Sequence, residues 1–160
     1  MKDYKFIDQL LHRSALGIPW IAEMAFDFEK LLISPEIKKP QAFYVTGLAR
    51  SGTTMLMRAL YSTECFASLT YNDMPFVLSP NIWGRLTARY TKNKIFQERA
   101  HGDGIKVSYD SPEAFEEVFW KLYCEDDYIN QDVLKVHSVN KKVLYELYKY
   151  HELVCHKYSK

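Results

Sequence analysis

A chain of 160 residues with 48% apolar and 15% aromatic content can bury one sizeable core and is too apolar for a disordered tail. Lys and Arg number 21 against 20 Asp and Glu, so the net charge of +1 gives no global case for nucleic-acid binding. No run approaches the roughly 20 apolar residues of a transmembrane helix, and the opening Met-Lys-Asp-Tyr-Lys lacks a signal peptide's apolar stretch.

Tyr4, Ile7, Leu10 and Leu11 stand at helical spacing over residues 4–13. Pro19 opens a second helical pattern through Ile21, Met24, Ala25, Phe28, Leu31 and Leu32. Both helices precede the first expected strand and read as an N-terminal extension packed on a sheet. Pro35 and Pro40 frame a loop. Residues 42–46 are apolar nearly throughout, as a buried parallel strand should be. Met55, Leu56, Ala59 and Leu60 give the next helix its apolar stripe, and a short strand is expected near residues 66–70.

Residues 71–84 read as a loop with a short apolar segment, and residues 82–89 as a short helix. His101-Gly102-Asp103-Gly104 reads as a turn. Ser111-Pro112-Glu113 is a helix start, followed by Phe115, Val118, Phe119 and Leu122 on one face. Residues 141–157 form a last helix, with Leu144, Leu147, His151 and Val154 along one side.

The chemistry concentrates between the first strand and its helix. Residues 47–54 read Gly-Leu-Ala-Arg-Ser-Gly-Thr-Thr, with the Gly-x-x-x-x-Gly spacing of a phosphate-cradling loop. Gly47 permits a tight exit from the strand, and Gly52 lets backbone N–H groups approach an anion. Ser51, Thr53 and Thr54 add hydroxyl donors, and Arg50 adds a fork of donors suited to phosphate or sulfate. Thr53 stands where a nucleotide-binding loop has its lysine. No point charge then reaches the β- and γ-phosphates of ATP, which argues against a kinase or ATPase.

The run Arg50-Ser51-Gly52-Thr53-Thr54, preceded by Val45-Thr46-Gly47 and followed by an apolar helix, resembles the 5′-phosphosulfate loop of sulfotransferases that use 3′-phosphoadenylyl sulfate, PAPS. Arg before Ser-Gly-Thr-Thr is more similar to the carbohydrate and tyrosylprotein branches than to the small-molecule branch. The resemblance implies an α/β fold, a P-loop/Rossmann-like parallel sheet with flanking helices. It implies sulfuryl transfer from PAPS to a hydroxyl or amine, without a metal. It assigns cofactor binding to Gly47, Ala49, Arg50, Ser51, Gly52, Thr53 and Thr54, with Arg50 also catalytic.

Only one or two strands are legible where a doubly wound sheet needs several. In the family, an Arg and a Ser that hold the 3′-phosphate lie beyond a further strand and helix, so that site is expected past residue 160. The chain therefore reads as one domain, the N-terminal part of a longer enzyme. Residues 1–36 would be its helical extension and residues 41–160 a partial α/β core, with residues 156–160 entering a strand. Alone, it is expected to bind phosphosulfate weakly and to catalyse nothing.

Two residues are candidate bases for deprotonating the acceptor. The resemblance places an acidic residue near Asp73, in a loop at the carboxyl end of a strand, where α/β proteins bind ligands. His101 has the side chain that titrates nearest neutrality and sits beside a flexible Gly-Asp-Gly. His12, His137, His151 and His156 read as structural, and Trp83 and Tyr71 as core aromatics able to stack on a ring. Residues 85–106 carry six basic against two acidic side chains, which would suit an anionic acceptor such as an acidic polysaccharide. Residues 110–127 carry seven acids and one lysine, the solvent face of a helix.

Cys65, Cys124 and Cys155 are odd in number and widely separated, which fits free thiols in a reducing compartment. With no membrane anchor legible, a soluble cytoplasmic enzyme of bacterial type is expected, with neither membrane nor nucleic acid as partner. Two other readings stay open: an atypical nucleotide-dependent phosphotransferase, which would need Mg²⁺, and a non-catalytic nucleotide-binding fragment.

Overall fold

Helices carry this fold. The computed structural model describes residues 19–34, 40–48, 50–88, 97–98, 106–130, 133–136 and 138–159. Among the described residues the α-helices are α1 (Pro19–Leu32), α2 (Thr53–Ser62), α3 (Pro80–Thr87), α4 (Glu116–Tyr128) and α5 (Lys141–Tyr158). A 3₁₀ helix, Tyr71–Phe76, joins α2 to α3. The strands are β1 (Gln97–Glu98), β2 (Lys106–Val107), β3 (Ile129–Asn130) and β4 (Val133–Leu134), each of two residues.

The expected α/β architecture is corrected here. Among the described residues, helix makes up 60% and strand 5%, and no Rossmann-like parallel sheet organises them. β1 pairs only with β2 and β3 only with β4, both antiparallel. Residues 42–46 are neither strand nor helix, and Phe43 and Tyr44 are 67% and 53% exposed. The second expected strand reduces to a single antiparallel bridge between Thr70 and Pro112. A strand exists only through hydrogen bonds to a neighbour. An apolar run without a partner stays an extended segment, and the P-loop-like strand–loop–helix unit goes with it. Residues 156–158 are likewise the last turn of α5, with Ser159 capping it in the left-handed conformation.

The core is built where α1, α4 and α5 meet. Phe26 of α1, Phe119 of α4 and Tyr150 and Leu153 of α5 are all buried. The Phe119 and Tyr150 rings stack at 5.8 Å, and Phe26 meets Tyr150 edge-on at 6.4 Å. Such pairs add roughly 0.5–1.5 kcal/mol each beyond the burial of their area. Helix α5 starts where Asn140 accepts a hydrogen bond from the Val143 N–H at 2.9 Å, a regular N-cap.

Helix α1 forms as expected but turns differently. Its legible stripe, Met24, Phe28, Leu31 and Leu32, is exposed, while Phe26 and Glu29 are buried. The reason lies in α3. One Glu29 oxygen, Oε1, accepts the backbone N–H of Asn81 at 3.0 Å and its side-chain amide at 2.8 Å. The other, Oε2, accepts the Ile82 N–H at 3.0 Å. Glu29 thus caps the first turn of α3 from a different helix, giving partners to N–H groups that the helix start leaves open. Asn81 continues the network, donating to the Leu153 carbonyl at 2.9 Å and meeting His156 Nδ1 at 3.0 Å.

Candidate functional site

The turn that precedes α2 is built as its glycines demand. Ser51 N–H donates to the Leu48 carbonyl at 3.1 Å, folding the chain back on itself. A Cβ on Gly47 would lie 2.5 Å from Ser51 Oγ, so any other residue there would have to displace that hydroxyl. Gly52 is the N-cap of α2 at φ 85°, and Arg50 also sits in the left-handed region at φ 66°. The helix ladder begins with Leu56 N–H bonding to the Gly52 carbonyl at 3.1 Å. A helix start leaves its leading N–H groups without intrahelical partners, and glycine has no side chain to cap them.

Arg50, Ser51 and Gly52 are exposed, and Thr53 and Thr54 half-buried, so the turn offers backbone and hydroxyl donors with a guanidinium beside them. Space around Gly52 is open, so a substitution there is resisted by backbone conformation alone. Gly52→Ala is expected to lower the unfolding free energy by about 1 kcal/mol, measured by urea denaturation.

Asp73 lies apart from an open site. It is fully buried in the 3₁₀ helix, where it accepts the Thr70 N–H at 2.9 Å and the Tyr158 hydroxyl at 2.7 Å on Oδ2. Its Oδ1 pairs with Lys157. Beside this carboxylate, burial and the Asp73 charge push the Tyr158 hydroxyl far above its usual range. Asp73 thus ties the 3₁₀ helix to the end of α5. Ala49 and His101 lie outside the described residues. Trp83 donates its indole N–H to the Asn72 carbonyl at 2.7 Å, and the Tyr71 hydroxyl donates to Glu113 at 2.6 Å, so both aromatics have structural partners.

A cavity beside the turn was not legible in the sequence. A cavity of about 600 Å³ opens between the extended segment 40–45, α2 and the facing ends of α4 and α5. Thr53 and Thr54 of the turn line it, as do Phe43, Phe66, Glu116 and His151. This volume falls within the roughly 300–1,000 Å³ usual for small-molecule sites. Tyr44 and His151 Nε2 are joined by a 3.1 Å hydrogen bond across it. Burial lowers the His151 pKa from its ordinary 6.5, and burial with the nearby Glu116 charge raises that of Tyr44. Both are therefore neutral at pH 7. The one sequence signal was His151 on the apolar side of the last helix, among Leu147 and Val154.

A lowered imidazole pKa fixes the sign of a pH effect. The unfolded chain binds the proton more tightly, so His151's contribution is present above pH 6.5 and lost as pH falls through its folded value. Stability should thus fall on acidification below 6.5, and less steeply in His151→Asn, as read from urea midpoints across pH 5–8.

Among the described residues no group of three or more His, Cys, Asp or Glu is arranged to hold a metal ion. No described helix is long and apolar enough to cross a membrane. Comparison with protein-family models, with curated proteins and with solved structures finds no match to this chain.

Proposed function

We propose that this chain is the donor-binding, N-terminal part of a sulfotransferase, which moves a sulfuryl group from PAPS to a hydroxyl of an acceptor. The observation that carries the reading is the turn 47–54. Its Arg-Ser-Gly-Thr-Thr sequence resembles the phosphosulfate loop, and its two left-handed residues leave Arg50 exposed beside an uncapped helix start. A dianionic or sulfated phosphate fits that set of donors better than any neutral group.

In the reaction, the acceptor oxygen attacks sulfur in line as the bond from sulfur to the bridging phosphate oxygen breaks. Adenosine 3′,5′-bisphosphate leaves with the electron pair. Arg50 and the turn's N–H groups stabilise the charge that grows on that oxygen, and preorganised donors of this kind are usually the largest catalytic contribution. The acceptor proton goes to a base. Asp73 is enclosed and already hydrogen-bonded on both oxygens, which favours His101 of the two candidates.

Titration calorimetry tests the reading. PAPS and adenosine 3′,5′-bisphosphate are expected to bind, with Mg-ATP much weaker. Tighter binding of Mg-ATP would establish the phosphotransferase reading instead, and binding of none would remove the nucleotide site altogether.

A further inference from the structure

The cavity beside the turn has a chemical character of its own. Two glutamates, Glu113 and Glu116, lie on its wall, and none of the described residues that line it is a lysine or arginine. His151, on the same wall, is held neutral by burial.

The two glutamates differ. Glu113 accepts the Tyr71 hydroxyl at 2.6 Å. Glu116 is half-buried at the first turn of α4 and makes no hydrogen bond or ion pair among the described residues. A partly desolvated carboxylate without a partner is unfavourable, and a cationic ligand would remove that cost. Aromatic rings line the same cavity. Phe43 and Phe66 meet edge-on at 5.3 Å, and Phe115 follows Glu113 along the wall. Phe43 is 67% exposed, so its ring is open to a ligand from the cavity side. Ring faces beside a carboxylate suit an organic ammonium ion.

We infer that this cavity binds an arylalkylamine, its ammonium group on Glu116 and its ring against Phe43 and Phe66. Thr53 and Thr54 belong both to this wall and to the anion turn, so the amine's far end lies next to the donor. In naming the ligand as acceptor, through a phenolic hydroxyl on that far end, the inference rests on the sulfotransferase reading. The binding itself does not.

The experiment titrates the protein, without nucleotide, with tyramine, 4-ethylphenol and 4-hydroxyphenylacetate, which share a ring and differ in charge. Tyramine should bind best and the carboxylate worst. Glu116→Gln should weaken tyramine by about tenfold or more, the loss expected of one charge-assisted contact, and leave 4-ethylphenol unchanged. Phe43→Ala, at an exposed position, should weaken both. Equal affinity for the carboxylate, no tyramine binding at millimolar concentration, or a silent Glu116→Gln would each overturn the inference. Adenosine 3′,5′-bisphosphate is titrated in parallel. If it fails while tyramine binds, the sulfotransferase reading falls and the amine site stands. The reverse result removes the amine site alone.

Discussion

Glu29→Ala is expected to lower the unfolding free energy by about 4 kcal/mol, a large share of the roughly 5–15 kcal/mol that keeps an ordinary domain folded. The carboxylate is fully buried and accepts three hydrogen bonds, from two backbone N–H groups and one amide. Truncation strands these donors in the interior, at roughly 1–3 kcal/mol each before relaxation. Glu29→Gln keeps the volume and one acceptor oxygen but turns an NH₂ group toward a donor, so about half the loss is expected. Urea denaturation followed by far-UV circular dichroism measures both. A loss below about 1 kcal/mol for the alanine variant would mean that Glu29 does not cap α3 in solution.

The same residue gives a pH signature. Burial raises the Glu29 pKa above its ordinary 4.5, against the opposing hydrogen bonds from Asn81 and Ile82 and the charge of Lys157. A folded-state pKa above the unfolded one means that the folded protein holds the proton more tightly. That contribution is complete below pH 4.5 and is lost as pH rises through the raised value. The stability advantage of the natural protein over Glu29→Gln should therefore shrink on going from pH 4.5 upward. An advantage that grows with pH would show that the three donors outweigh desolvation.

Arg50→Ala should reduce turnover by about 10²-fold or more in an enzyme form that transfers sulfate from PAPS, because it removes a donor aimed at developing charge. Binding of adenosine 3′,5′-bisphosphate to this chain should weaken by about tenfold or more. The conformation of Arg50 supplies a control. At φ 66° the backbone suits glycine better than arginine. Arg50→Gly should thus lose the anion as Arg50→Ala does, yet keep its stability. A variant that binds the bisphosphate normally would remove Arg50 from the site, whatever its melting temperature.

Local signals located most of the helices. Pro19 opens α1, and the apolar period through Phe115, Val118, Phe119 and Leu122 runs into α4. The last helix was legible from Leu147 and Val154, and Gly52-Thr53 marked the start of α2. These features depend on residues within one or two turns of each other, which is why sequence carries them. The turn 47–52 belongs with them, because glycine spacing and left-handed backbone are properties of the segment itself.

Sequence by itself determined where α1 runs; only tertiary structure decided which way it faces. The period of Met24, Phe28 and Leu31 points one way, yet Phe26 and Glu29 are the residues inside. Glu29 is drawn in by the N–H groups of Asn81 and Ile82, some fifty residues on, and no window on the chain contains both. Residues 42–46 show the same limit. Their apolar run states that a strand is affordable, but a strand requires a neighbour, and none pairs with them among the described residues. The cavity is the last such case. Glu116, Tyr44 and His151 are ordinary residues on three separate segments, and they acquire a common chemistry only where the packing of α4 and α5 against segment 40–45 brings them together.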